Sequence, residues 1–310
     1  MHILKPRIAI IGAGAAGVAA GCRLTAAGVP NVLFEKSRGY GGRCASRRWN
    51  WGIVDHGAQY FTLRDSEFSE RVRRVCNDDV LPLEKPILDE TGSPLPMRER
   101  FYHRDGNSRL IRSLAEGLDV RLETLVAPPE TKNGIWFVGG EEFDAVLSTA
   151  PLPQTQTLAG RPPTQAFVPC LTWMGAYEGL WVGKTREVYA WSDHSTTPLA
   201  WTACENHKSG RVTGEVTVIV VQASAAFSLE CLEAEPPQWA SLLRNLAELR
   251  WEINAPLLGE STHRWRYARI KTAQSLPDLP ATWACAGDAF SESRVESAWR
   301  SGWQAAGAWL

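Results

Sequence analysis

A run of 18 apolar residues, long enough to cross a bilayer as a helix, occurs nowhere in the 310-residue chain, so no membrane span is expected. A charge excess of either sign is missing too. The 33 lysines and arginines face 34 aspartates and glutamates, a net of −1, which excludes the basic footprint of a nucleic-acid-binding chain. C-x-x-C spacing is absent among Cys22, Cys44, Cys76, Cys170, Cys204, Cys231 and Cys285. With an odd number of thiols and no visible export signal, a reduced, cytoplasmic protein is expected. Neither H-E-x-x-H nor G-x-S-x-G occurs, and no Cys/His cluster has metal-ligand spacing, so neither a metal nor an esterase-type nucleophile is expected. Internal repeats and low-complexity stretches are also lacking. The remaining composition, 44% hydrophobic and 22% charged, is that of a globular protein of one or two domains. Its 14 tryptophans are an excess, expected mainly in core packing, with a minority lining a pocket for a flat ring.

The most specific signal lies at the start. An apolar run, 8–11, leads directly into Gly12-Ala13-Gly14-Ala15-Ala16-Gly17, and an alanine-rich helical stretch, 15–27, stops at Gly28 and Pro30. In such a strand–turn–helix the first glycine permits the turn, Gly14 lets the backbone approach a phosphate, and Gly17 lets helix pack on strand. Free amides at the helix N-terminus, Ala15 and Ala16 among them, then face the negative charge. A second short strand, 32–34, ends in Glu35, placed to accept ribose hydroxyls of an adenosine. The segment that follows, Lys36 to Arg43, chooses between dinucleotides. Gly41 and Gly42 offer a second close approach to a diphosphate, and Arg38 and Arg43 can offset its charge. Near the other end, the run 282–286 leads into Gly287-Asp288. Such a strand end suits the ribityl and pyrophosphate part of FAD, with Asp288 accepting a ribityl hydroxyl. A helix starting near Arg294 would aim its N-terminus at the flavin ring. No second G-x-G-x-x-G is present, so a substrate or reductant is expected in an interdomain pocket rather than on a second dinucleotide fold.

The expected fold is α/β: a Rossmann-type FAD-binding domain with a discontinuous α+β substrate domain built on a mostly antiparallel sheet. Residues 1–50, 104–160 and 278–310 are assigned to the first domain, and 51–103 and 161–277 to the second. Within the first, the pattern predicts a helix over 108–118 and strands over 120–125, 135–138 and 143–148. Loops at Leu125-Val126 and Thr149-Ala150 would cover the cofactor, beyond the carboxyl ends of parallel strands. The proline-rich stretch 151–169 reads as a crossing linker. Strands are expected over 172–181, 188–191, 216–223 and 263–270. A helix over 237–251 is expected to set Trp239, Leu242, Leu243, Leu246 and Leu249 on one period. On the last strand, alternation puts His263, Trp265 and Tyr267 on one face, which could line a substrate cavity or pack structurally.

Several motifs together resemble the flavin-containing amine oxidase superfamily, and within it the renalase-like bacterial branch. They are Lys-Ser-Arg-Gly-x-Gly-Gly-Arg at 36–43, Gly-Ala-Gln-Tyr-Phe-Thr at 57–62, His-Arg-Trp-x-Tyr-Ala-Arg at 263–269, Gly-Asp at 287–288, Arg-Val-Glu-x-Ala-Trp at 294–299 and Ser301-Gly302. The chain departs from the pattern at Ser293 and Ser297, where glycines are common, and at Ala289, where an aromatic is common. The resemblance implies FAD as cofactor, with Gly57, Ala58, Gln59, Arg294, Val295 and Glu296 added to its contacts. Gln59, Tyr60, His263, Trp265 and Tyr267 are implied to shape the substrate side; His56 and Cys44 are expected to be structural. The implied reaction is oxidation of planar dihydronicotinamide isomers of NAD(P)H by hydride transfer to flavin N5, with molecular oxygen as acceptor. Alternatives are an amine oxidase or another FAD-dependent oxidase or desaturase, and a flavin-binding protein that acts by interaction alone. The expected partner is a small planar molecule, either a dihydronicotinamide or an amine.

Overall fold

The computed structural model describes residues 5–194 and 197–310. The opening run Ile8–Ile11 is the centre of a five-stranded parallel sheet, ordered Trp283–Cys285, Ala145–Ser148, Ile8–Ile11, Asn31–Phe34, Val120–Arg121. A central parallel strand is covered on both faces, so it is apolar throughout. Ile8, Ile10, Leu33 and Leu147 point to a helical layer made of Ala15–Ala26, Ser66–Cys76, Asn107–Leu114 and Val295–Ala306. Ala9, Ile11, Val32, Phe34 and Val146 point the other way. They meet a three-stranded antiparallel sheet, Glu130–Lys132, Ile135–Val138 and Glu141–Phe143. Helices Ala15–Ala26 and Val295–Ala306 touch through backbone: a Cβ on Gly302 would lie 1.9 Å from the Ala16 carbonyl oxygen.

The second sheet has six strands, ordered Leu257–Ile270, Phe167–Glu178, Val216–Ala223, Leu199–Cys204, Ala190–Ser192, Ile87–Leu88. All its pairs are antiparallel except the last. The β-branched run 216–223 is a strand buried on both faces, as its composition implies. Ile219 and Val221 face helix Pro236–Trp251, while Val218 and Val220 face Val54, Trp49 and Trp51 of the hairpin Ser46–Trp49/Gly52–Asp55.

Several sequence expectations need correction. The strand expected over 143–148 is split at Asp144, whose carboxylate accepts the Arg7 amide at 2.7 Å; Phe143 joins the small sheet and Ala145 begins a parallel strand. The strand expected over 120–125 ends at Arg121, because Glu123 takes a left-handed conformation (φ 53°). The expected linker 151–169 contains the helix Leu152–Leu158 and then enters the long strand Phe167–Glu178. On helix Pro236–Trp251 the buried face is Trp239, Ala240, Leu243, Ala247 and Trp251, whereas Leu242 and Leu249 are exposed. Helix Ser66–Cys76 falls in the stretch expected for the second unit but buries Phe68 and Val72 in the core of the first.

Candidate active site

The glycine turn after Ile11 is sterically determined. Gly12 has φ +108°, and a Cβ there would sit 2.8 Å from the Thr149 hydroxyl. A Cβ on Gly17 would sit 1.9 Å from the Gly12 carbonyl oxygen, so any larger residue forces the helix off the strand. Gly14 is different: the nearest atom to its would-be Cβ is the Gly41 carbonyl oxygen at 3.9 Å, and otherwise that space is open. Gly14 is the N-cap of helix Ala15–Ala26 and offers no side chain to its free amides. The turn at Gly41 abuts it, with the Gly41 amide donating to the Ala13 carbonyl at 3.1 Å. At the end of Asn31–Phe34, the Glu35 carboxylate accepts the Ala13 amide at 2.9 Å and the Ser37 amide at 2.8 Å, which fixes its direction.

These elements open onto one cleft of about 2090 Å³. A cavity for a single small molecule is about 300–1,000 Å³, so this one has room for an extended dinucleotide and a second ring. Ala15, Ala16, Lys36, Arg38, Gly42, Leu125, Val126, Thr149 and Ala150 line it towards Glu35 and the glycine turn. Gly57, Ala58, Gln59, Tyr60, Gly287, Asp288, Arg294 and Val295 line it further along. The pair of glycine turns, the fixed Glu35 carboxylate and the length of the cleft fit FAD.

Two charged residues expected to serve the cofactor separately meet each other instead. Arg43 binds Asp288 through two bonds of 2.8 and 2.6 Å and also donates to the Ala268 carbonyl at 3.3 Å. This pair ties the Gly41-Gly42 turn to the Gly287-Asp288 turn. Glu296 is engaged away from the residues that line the cleft. Its carboxylate accepts the Thr62 hydroxyl at 2.5 Å and the Asp65 amide, pinning the 62–65 loop, and Asp65 in turn caps helix Ser66–Cys76. Arg294 does line the cleft and pairs with Glu292 at 2.9 Å. Ser293, one of the departures from the family pattern, accepts the Ile270 amide at 2.9 Å, and Ala289 is buried beside Phe167.

Across the cleft stands an aromatic wall. His56 stacks on Trp265 (5.4 Å between ring centroids), His263 lies 4.7 Å from His56, and the Trp265 indole donates to the His56 carbonyl at 2.9 Å. Burial, with His263 and Arg47 adding to it, pushes His56 down to about 3. Burial and Arg47 push His263 down to about 4. Both rings are therefore neutral near pH 7. Gln59 is buried; its amide nitrogen donates to the Asp55 and Gly57 carbonyls, while its Oε1 has no partner among the described residues, nor does Nδ1 of His56. Tyr60 faces Trp201 at 6.0 Å and carries the Arg100 guanidinium over its ring at 5.2 Å. Tyr267 packs edge-on against Phe167. The simple alternation expected for 263–267 is modified: the register shifts opposite Val168 and Cys170, and Arg264, Arg266 and Arg269 line the cleft as well. Cys44 is buried, and burial pushes its thiol up to about 12, as suits a structural residue.

Sequence inspection missed a buried quartet. Asp55 accepts Lys208 at 3.0 Å and Arg211 at 2.7 Å, and Glu205 accepts the same two at 2.7 and 3.2 Å, with all four side chains fully enclosed. Burial alone would raise the Asp55 carboxyl, but Arg211 and Lys208 outweigh it and hold it below the usual range. Asp55 also accepts the Ser46 hydroxyl at 2.5 Å and the Asn107 amide at 3.0 Å. The only local signal is three charges within 205–211, a pattern common in exposed turns. Gln222 was missed as well; it lines the cleft and donates to the Gly57 carbonyl at 2.7 Å.

The sequence profile of the flavin containing amine oxidoreductase family matches residues 63–310, and that of an NAD(P)-binding Rossmann-like domain matches residues 10–78. Among solved structures, the chain is similar to a protein described as a protoporphyrinogen oxidase from Exiguobacterium sp. 255-15, with TM-score 0.77, 13% identity, and 97% and 98% of the two chains covered. Reduced UDP-galactopyranose mutase matches with TM-score 0.73 and 11% identity over 98% of this chain and 94% of that one. Putrescine oxidase bound to putrescine matches with TM-score 0.70 and 12% identity over 98% of both. At these identities the structural likeness speaks for the fold.

Proposed function

The chain belongs to the flavin-containing amine oxidoreductase family, and from that premise we propose that this FAD-dependent oxidoreductase oxidises planar dihydronicotinamides, isomers of NAD(P)H, in the manner of the renalase-like branch. The observation that carries the proposal is the single cleft of about 2090 Å³ running from Glu35 and the glycine turns to the wall of Tyr60, His263 and Trp265. FAD, when bound, supplies the hydride acceptor and passes its electrons to molecular oxygen. The chain itself has to bind, orient and exclude water. Gly12, Gly14, Ala15, Ala16, Gly41 and Gly42 would hold the diphosphate through backbone, with Lys36 and Arg38 beside it. Glu35 would accept the ribose hydroxyls, and Leu125, Val126, Thr149 and Ala150 would cover the same half. Gly57, Ala58, Gly287, Asp288, Arg294 and Val295 would frame the flavin half, with Gly17 and Arg43 acting indirectly through packing and the Asp288 pair. Gln59, Tyr60, His263, Trp265 and Tyr267 would present the substrate ring. Neutral imidazoles at His56 and His263 suit an uncharged dihydropyridine. We assign 1–50, 104–160 and 278–310 to the cofactor domain, and 51–103 and 161–277 to the substrate domain, except that helix Ser66–Cys76 packs into the core of the cofactor domain.

A second function, amine oxidation, is favoured by one observation: Tyr60 and Trp201 both line the cleft, and aromatic faces of this kind bind cations. The two separate cleanly. Purified protein should be yellow with two flavin bands. Anaerobic addition of the 2- and 6-dihydro isomers of NAD(P) should bleach them; if neither does, the dihydronicotinamide proposal is removed. Peroxide release from an amine panel would install the second function in its place.

A further inference from the structure

The chain as a whole is almost neutral, but the cleft is not. Among the described residues, thirteen arginines and one lysine line it, against four carboxylates. Of those carboxylates, Asp288 pairs with Arg43, Asp193 pairs with Arg250, and Glu35 is taken by two backbone amides. Only Arg43, Arg266 and Arg294 of the thirteen arginines are in ion pairs among the described residues. The roughly two negative charges of a bound dinucleotide diphosphate do not offset such a surplus.

Part of the surplus lies at the Tyr60 end, away from Glu35. Arg100 sits over the Tyr60 ring at 5.2 Å and donates to the Arg98 carbonyl at 3.3 Å. The segment carrying both is anchored at each end: the Leu95 amide donates to Ile87, and the Leu83 amide donates to the Arg100 carbonyl, each at 2.8 Å. Phe61 and Phe101 exchange two backbone bonds of 2.9 Å, which holds Tyr60 and Arg100 side by side. Arg64 follows on the loop that Glu296 pins. Arg64, Arg98 and Arg100 all line the cleft, and none is in an ion pair among the described residues. Arg100 is held by its own contacts, while Arg64 and Arg98 are exposed on backbone segments anchored by the bonds above; guanidiniums so placed suit an oxyanion with several acceptor atoms. A free amine brought to Tyr60 would meet Arg100 at close range.

We infer that Arg64, Arg98 and Arg100, beside Tyr60, form a phosphate-binding subsite that takes a phosphate ester of the substrate. The inference rests on the proposal above that this cleft holds FAD and a second, reducing ring. Binding a remote phosphate supplies orientation to the ring that reacts, and does so at a point separate from the cofactor's own diphosphate.

The test uses the FAD-loaded protein and its Arg98→Gln/Arg100→Gln variant, with flavin content and melting checked first. Each is titrated anaerobically with a 6-dihydronicotinamide riboside, which has no phosphate, and with the corresponding mononucleotide. In the wild type the mononucleotide should half-saturate flavin bleaching at a concentration about tenfold lower than the riboside. In the variant that ratio should fall towards one. An equal response to both in the wild type, or an unchanged ratio in the variant, overturns the subsite. If neither compound bleaches the flavin, the substrate proposal fails but the subsite does not, and a second titration decides it. Inorganic pyrophosphate, followed by perturbation of the oxidised flavin spectrum, should saturate in the wild type, weaken as salt rises and be lost in the variant. No saturable change, or the same change in both proteins, overturns the subsite independently of the substrate.

Discussion

The three glycines of the first turn do different things, and single substitutions separate them. Gly17→Ala places a methyl 1.9 Å from the Gly12 carbonyl oxygen, so it should cost about 3 kcal/mol in urea unfolding. Gly14→Ala meets nothing closer than 3.9 Å. It should change stability by less than about 1 kcal/mol yet purify with much less flavin, read as the ratio of visible to ultraviolet absorbance. A second residue-scale prediction concerns His56. Folding holds it at about 3 against about 6.5 in the unfolded chain. The unfolded state therefore binds more protons below pH 6.5, and the stability His56 contributes is present above that pH and lost as pH falls towards 3. His56→Asn should flatten the decline of melting temperature between pH 7 and pH 4.5. An equally steep decline in the variant would place the acid sensitivity elsewhere.

Between elements, the ion pair Arg43–Asp288 connects the turn after the second parallel strand to the turn after the last one. Asp288 is 6% exposed and Arg43 29%, so the pair is sheltered but not sealed. Asp288→Asn keeps the shape and removes the charge, leaving Arg43 half-buried beside the Phe167 ring. A loss of about 2 kcal/mol is expected, with weaker FAD retention on dialysis. Arg43→Lys should weaken both properties too, because an ammonium cannot reproduce two parallel bonds.

For the whole molecule, the enclosed quartet joins what the chain order keeps apart: the 46–55 hairpin, the start of helix Asn107–Leu114 and the 205–211 turn of the six-stranded sheet. Two acids and two bases balance. Arg211→Met leaves one negative charge without compensation in a sealed site and should destabilise by about 3–5 kcal/mol. Glu205→Gln combined with Lys208→Met removes one charge of each sign and should cost clearly less than Arg211→Met. Equal losses from the two changes, measured by chemical denaturation with a spectroscopic probe in each sheet, would mean that charge balance is not what holds this junction.

How much of this was legible in the amino-acid order depends on the range of the forces involved. The strand, turn and helix at 8–26 were readable because glycine sterics and a continuous apolar run act within a few residues. Strand 216–223 was readable for the same reason. The helix 236–251 was located correctly, but its buried face was not, because Leu242 and Leu249 are exposed while two alanines pack where the sheet comes close. Tertiary structure alone decided that Arg43 pairs with Asp288 across 245 residues, that Glu296 pins a loop, and that Asp55 joins the quartet. Near-zero net charge could not reveal a cleft lined by thirteen arginines, since a sum over the chain carries no information about position. Local sterics and apolar runs are written along the chain; the partners of charged side chains depend on which distant segments the two sheets bring together.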